Sequence, residues 1–137
     1  MSKRPVDLPP TPSDETATHI LVVDDEPSIL QVVGRVLGHR GYKVTLAACV
    51  DLAIKYLGEQ TFSLIVSDHK MPQKSGEDLF HFVRDHHPEL IEKFILITGS
   101  AMDPSTIRFI EECNINVIEK PFDLSNLTEQ VELLLNR

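Results

Sequence analysis

Five short apolar runs, each followed by a stretch with helical spacing, predict a doubly wound α/β fold on one five-stranded parallel sheet. Two further observations agree with this. The runs are rich in Ile, Val and Leu without strict alternation, as expected of strands covered on both faces. The strand-helix unit also recurs five times between His19 and Arg137, a rhythm that suits right-handed crossovers between parallel neighbours.

The elements follow in order. HILVV (19–23) is the first strand, and Ile29, Leu30, Val33, Val36 and Leu37 form the apolar stripe of the helix after it. Pro27 sits where a first helical turn tolerates it, and Gly41 marks the stop. KVTLA (43–47) precedes a stripe of Leu52, Ala53, Tyr56 and Leu57. SLIVS (63–67) leads, through a turn containing Met71, Pro72 and Gly76, to Leu79, Phe80, Phe82 and Val83. In that turn glycine is expected to supply unusual dihedrals. FILIT (94–98) is followed by Ile107, Phe109 and Ile110, and NVIE (116–119) by Leu124, Leu127, Val131, Leu134 and Leu135.

Composition limits what such a chain can do. Its 137 residues, 42% of them hydrophobic, suffice for one core. Residues 1–18 hold four prolines and few large apolar side chains, so they read as a flexible tail or linker ahead of a single domain at 19–137. A net charge of -8 argues against direct binding to nucleic acid or an anionic membrane and favours a basic partner or a cation. No apolar run reaches the ~18 residues of a membrane span. Cys49 and Cys113 lie far apart in no metal-ligand pattern, and reduced, buried thiols in a soluble cytoplasmic protein are expected.

In an open parallel sheet, ligands bind beyond the carboxyl ends of the strands, so the residues there carry the chemistry. Strand one ends in Asp24, Asp25 and Glu26, strand three in Asp68, strand four in Thr98, Gly99 and Ser100, and strand five in Lys120 and Pro121. Three carboxylates about 5 Å apart repel by roughly 3 kcal/mol per pair at an effective dielectric near 20. A cation must therefore join them. Lys120 supplies one charge, and a hard divalent ion such as Mg²⁺ suits a site of few carboxylates, waters and a phosphate oxygen. With a lysine and a hydroxyl beside it, such a site is equipped to stabilise a phosphoryl group in transfer, and a free aspartate there could form an acyl phosphate.

The segments ILVVDDEPSIL, LIVSDHKMPQKSGEDL, ILITGS and VIEKPFD, in this order and at these spacings, resemble the receiver domain of two-component response regulators over residues 19–135. The resemblance implies a flavodoxin-like (βα)5 fold with Asp68 as phosphoacceptor. It implies Mg²⁺ held by Asp25 directly, by Asp24 largely through water, by Asp68, and by the main-chain carbonyl of Lys70. Thr98 and Lys120 would each contact a phosphoryl oxygen, and the Lys120-Pro121 bond would be cis. The implied partner is a histidine kinase or a histidine phosphotransfer protein, and the chain would be a signalling domain assisting its own phosphorylation and slow dephosphorylation, not an enzyme. The downstream partner surface would lie on the helices flanking strand five.

Some positions depart from the pattern or tune it. Receivers commonly carry Tyr or Phe three residues before the lysine, where this chain has Val117. A β-branched valine in an apolar strand reads as core and cannot swing as an aromatic lever. Lys70 and Ser100, two residues past the aspartate and the threonine, flank the path of attacking water, with the Lys70 side chain facing solvent or the phosphoryl group. His69 reads as a surface residue. A phosphatase with an aspartyl nucleophile would usually place a DxD signature after the first strand, which this sequence lacks. Ending two residues past the last predicted helix, the chain reads as a free-standing receiver or as one excised from a longer hybrid kinase.

Overall fold

The computed structural model describes residues 18–99 and 102–137. Apart from Thr18, the expected tail at 1–18 lies outside these residues, and so does Ser100. Thr18 already joins the sheet region, its carbonyl accepting from Lys43 N–H at 2.9 Å. The elements run β1 (His19–Val23), α1 (Pro27–His39), β2 (Lys43–Ala47), α2 (Val50–Glu59), β3 (Leu64–Asp68), α3 (Gly76–His86), a short 3-10 helix (Pro88–Lys93), β4 (Phe94–Thr98), α4 (Pro104–Cys113), β5 (Asn116–Glu119) and α5 (Leu124–Leu135). All four strand pairings are parallel, in the order β2-β1-β3-β4-β5. Chain direction across the sheet reverses at β1, so the crevice for a ligand opens between β1 and β3.

Alternation along the central strands sorts their side chains into two layers. Ile20, Val22, Leu64, Val66, Ile95 and Ile97 pack with Leu30, Val33 and Leu37 of α1 and Leu127, Val131 and Leu134 of α5. Leu21, Val23, Ile65, Phe94 and Leu96 pack on the other face with α2 and α3. Burial on both faces holds for β1, β3 and β4, whose residues are all buried. It fails for the edge strands: β2 leaves Lys43 and Leu46 exposed, and Val117 in β5 is half-buried instead of core. The cysteines, expected to be buried, are half-buried free thiols.

Local chemistry sets the helix ends. At the end of α1, Gly41 adopts φ +93°, its N–H bonding Gly38 O and the Tyr42 N–H bonding Leu37 O, a glycine-terminated stop that a Cβ would strain. Helix α3 starts with a reciprocal cap, Asp78 N–H donating to Ser75 Oγ and Ser75 N–H to Asp78 Oδ2. Helix α4 crosses towards the edge strand β5, where less sheet lies beneath it. Of its expected stripe, Ile107 is 41% exposed and Phe109 and Ile110 are half-buried.

The turn before α3 also corrects an expectation. Its left-handed residue is Gln73, at φ 72°, and Gly76 serves a different need. A Cβ on Gly76 would stand 2.5 Å from the Asp68 carbonyl oxygen and 2.7 Å from Leu96 Cδ1. Glycine is required there for close approach, which lets the start of α3 press against the end of β3.

Candidate functional site

Strands β1, β3 and β5 are each extended one step by a main-chain bond, and these steps build the site. Asp24 N–H donates to Ala47 O (3.1 Å), His69 N–H to Ile97 O (2.9 Å) and Lys120 N–H to Thr98 O (2.7 Å). Val23 lies opposite Ser67 in the β1/β3 register, so the next step brings Asp24 alongside Asp68. Carboxylate oxygens of Asp24, Asp25 and Asp68 fall within 4.8 Å of one another. Asp24 and Asp68 are buried, at 2% and 5% exposure, while Asp25 reaches solvent.

Lys120 Nζ lies 2.9 Å from Asp68 Oδ1. Burial works to lower the Lys120 ammonium, but the hydrogen bond to Asp68 and the charges of Asp68, Asp24 and Glu26 outweigh it and hold the group above the usual lysine range. Burial pushes the Asp24 carboxyl from 3.8 up to about 6; the Glu26 N–H, 2.9 Å from Asp24 Oδ1, and Lys120 oppose the rise, and the charges of Asp68 and Asp25 add to it. One ammonium against three carboxylates leaves the site short of positive charge. Hard oxygen donors on two adjoining strand ends fit Mg²⁺.

Beside this cluster a cavity of about 330 Å³ is lined by Asp68, His69, Lys70, Gly99, Met102, Thr106 and Lys120. Thr98 is fully buried, and among the described residues its Oγ1 is a buried side-chain oxygen without a hydrogen-bond partner. This orphaned hydroxyl sits one residue before the cavity-lining Gly99, and a buried polar group of this kind calls for a partner.

Of the predicted site residues, Asp24, Asp25, Asp68 and Lys120 therefore converge directly, and Thr98 ends the strand between those of Asp68 and Lys120. The Lys70 side chain is exposed at the cavity rim. Val117 lies outside that cavity, lining an adjoining groove of about 600 Å³ with Ile107, Ile110 and Pro121 that shares Lys120 and Met102 with it. The Lys120-Pro121 bond is cis. His69 overturns its surface reading: it is buried and lines the cavity, because its main chain continues the β3 ladder to Ile97. Met102 and Thr106, which sequence reasoning passed over, come from the α4 region, and no spacing signal tied them to Asp68.

Comparison with known proteins gives the arrangement its context. The family model for the response regulator receiver domain matches residues 20–132. The chain belongs to the receiver-domain family. It is 30% identical over 120 residues to the response regulator SaeR of Staphylococcus epidermidis, covering 88% of this chain and 51% of that protein. It is 31% identical over 120 residues to the sensor kinase CckA of Brucella abortus, covering 86% of this chain and 12% of that one. The chain thus spans about half the length of SaeR and a small part of CckA.

Solved receiver domains share the architecture. A CheY-like receiver domain protein from Methanospirillum hungatei superposes with TM-score 0.81 at 27% identity over 88% of this chain and 95% of that one. The signal receiver domain of a histidine kinase from Syntrophus aciditrophicus does so with TM-score 0.78 at 29% identity, over 88% and 91%. A receiver domain is a phosphoacceptor module of two-component signalling, phosphorylated by histidine kinases, and is not a conventional enzyme. The Asp24, Asp25 and Asp68 cluster fits the Mg²⁺ site of such a receiver. Among the described residues, no helix is long and apolar enough to cross a membrane.

Proposed function

We propose that this receiver accepts a phosphoryl group on Asp68 from a phosphohistidine of a sensor kinase or phosphotransfer protein and later loses it to water. An Asp68 carboxylate oxygen attacks phosphorus, the nitrogen-phosphorus bond breaks, and the imidazole leaves with the electron pair and takes up a proton. Water then attacks phosphorus, inorganic phosphate departs, and the carboxylate is restored. Mg²⁺, when bound, neutralises charge on the phosphoryl oxygens. Asp24, Asp25, Asp68 and the Lys70 carbonyl would hold it, Asp24 largely through water.

Lys120 holds the nucleophile and pairs with a phosphoryl oxygen, and Thr98 donates its hydroxyl to another. Lys70 and Ser100 tune the approach of water. The observation that carries this reading is the buried Asp68 carboxylate with Lys120 Nζ at 2.9 Å and two further carboxylates within 4.8 Å. Val117 offers no aromatic ring to bury, so the output surface beside β5 responds weakly or by another route. Kinship with both a response regulator and a sensor kinase is compatible with a free-standing receiver and with one carried in a hybrid kinase. Incubation with acetyl phosphate and Mg²⁺ should add the mass of one phosphoryl group, lost in Asp68→Ala; unchanged labelling of that variant would remove Asp68 from its role.

A further inference from the structure

His69 is tied down more firmly than a residue entering a loop needs to be. Its side chain is 7% exposed, with Nε2 3.2 Å from Glu77 Oε1 on α3. Its main chain is held on both sides: the N–H donates to Ile97 O at 2.9 Å, and the carbonyl accepts from Gly76 N–H at 2.7 Å. The loop between residues 69 and 76 therefore leaves and returns through this one residue. A polar ring out of water keeps its place only with a compensating partner, and Glu77 is that partner.

The loop needs such anchoring. It carries Gln73 at φ 72°, a left-handed conformation that costs about 1 kcal/mol outside glycine and must be offset by contacts at the loop ends. It also carries Lys70. The three carboxylates sit on or immediately after strands β1 and β3, whose positions the sheet sets. The Lys70 carbonyl has no sheet to hold it, and its place depends on how the loop is fastened.

We infer that His69 and Glu77 are a positioning pair for the metal, tying the first residue of the loop to α3 and so holding the Lys70 carbonyl ready for a divalent cation. The inference rests on the proposed ligand role of that carbonyl. Neither side chain belongs to the carboxylate cluster, so each acts through Lys70.

Titration calorimetry with Mg²⁺ alone tests it on the full chain. His69→Leu and Glu77→Ala should each weaken Mg²⁺ binding roughly tenfold, the scale on which residues that orient metal ligands act. His69→Gln, whose amide still offers a donor to Glu77, should recover most of the loss. Melting without metal checks that the variants fold, and Glu77→Ala, at a one-third exposed side chain, serves if His69→Leu does not. Unchanged affinity in the folded variants overturns the inference, as does a His69→Gln variant as weak as His69→Leu. Failure of the wild-type chain to bind Mg²⁺ overturns the metal reading beneath it instead.

Discussion

At Gly76 a single hydrogen atom in place of a methyl group decides how close a helix comes to the strand end that carries Asp68. Because an added Cβ would meet main chain, which cannot rotate away, Gly76→Ala must push α3 from β3 or shift the Asp68 carbonyl. We expect a loss of about 2 kcal/mol, the typical cost of forcing extra volume into a packed region, read by urea unfolding. Slower labelling of Asp68 should accompany it, and wild-type stability would show that the contact relaxes freely. The Lys120-Asp68 bond illustrates the same economy, one contact placing both a cation and the proposed nucleophile at the cavity.

At the scale of elements, the helices differ in how firmly they are held. Helix α3 buries Gly76, Leu79, Phe80 and Val83 and begins with the Ser75/Asp78 cap, so Ser75→Ala should cost about 1 kcal/mol, measurable as a lower denaturation midpoint. Only Thr106 of α4 is buried, and its main aromatic anchor is Phe109, edge-on to Phe80 at 5.6 Å and beside His81 at 5.3 Å. An element held by one buried threonine and the half-buried Phe109, Ile110 and Cys113 is easier to shift than one packed along its length. The half-buried Val117 lies on the same flank, facing the groove that α4 and β5 share.

For the whole molecule, the acid cluster links stability to pH and to metal. Below pH ~4 the Asp24 carboxyl is protonated in folded and unfolded chains alike. Between there and about 6 the folded chain keeps a proton that the unfolded chain has released, so stability falls as pH rises. Above about 6 the folded chain carries the buried charge, and this group's loss is complete at roughly 3 kcal/mol. Mg²⁺ held by this cluster would bind its ionised form, so it should restore about 2.7 kcal/mol at a hundredfold excess over its dissociation constant near neutral pH, and much less at pH 5. Urea unfolding with and without Mg²⁺ at pH 5 and 7.5 checks this; equal stabilisation at both would separate Asp24 from the metal.

The sequence by itself determined the sheet, the order of its elements and the acids, threonine and lysine at its edge. Strand periodicity and chain order are local properties, and a parallel sheet carries strand-end residues to one side whatever the packing details. Tertiary structure alone decided how exposed each of them is. Edge position left Val117, Leu46 and Ile107 partly open, although their local patterns match those of buried neighbours. Likewise His69 reads as a loop residue beside a lysine, and only the approach of α3, permitted by Gly76, brings Glu77 to it and withdraws it from water. Burial and partnership depend on what comes near from elsewhere in the chain, and no local pattern records that.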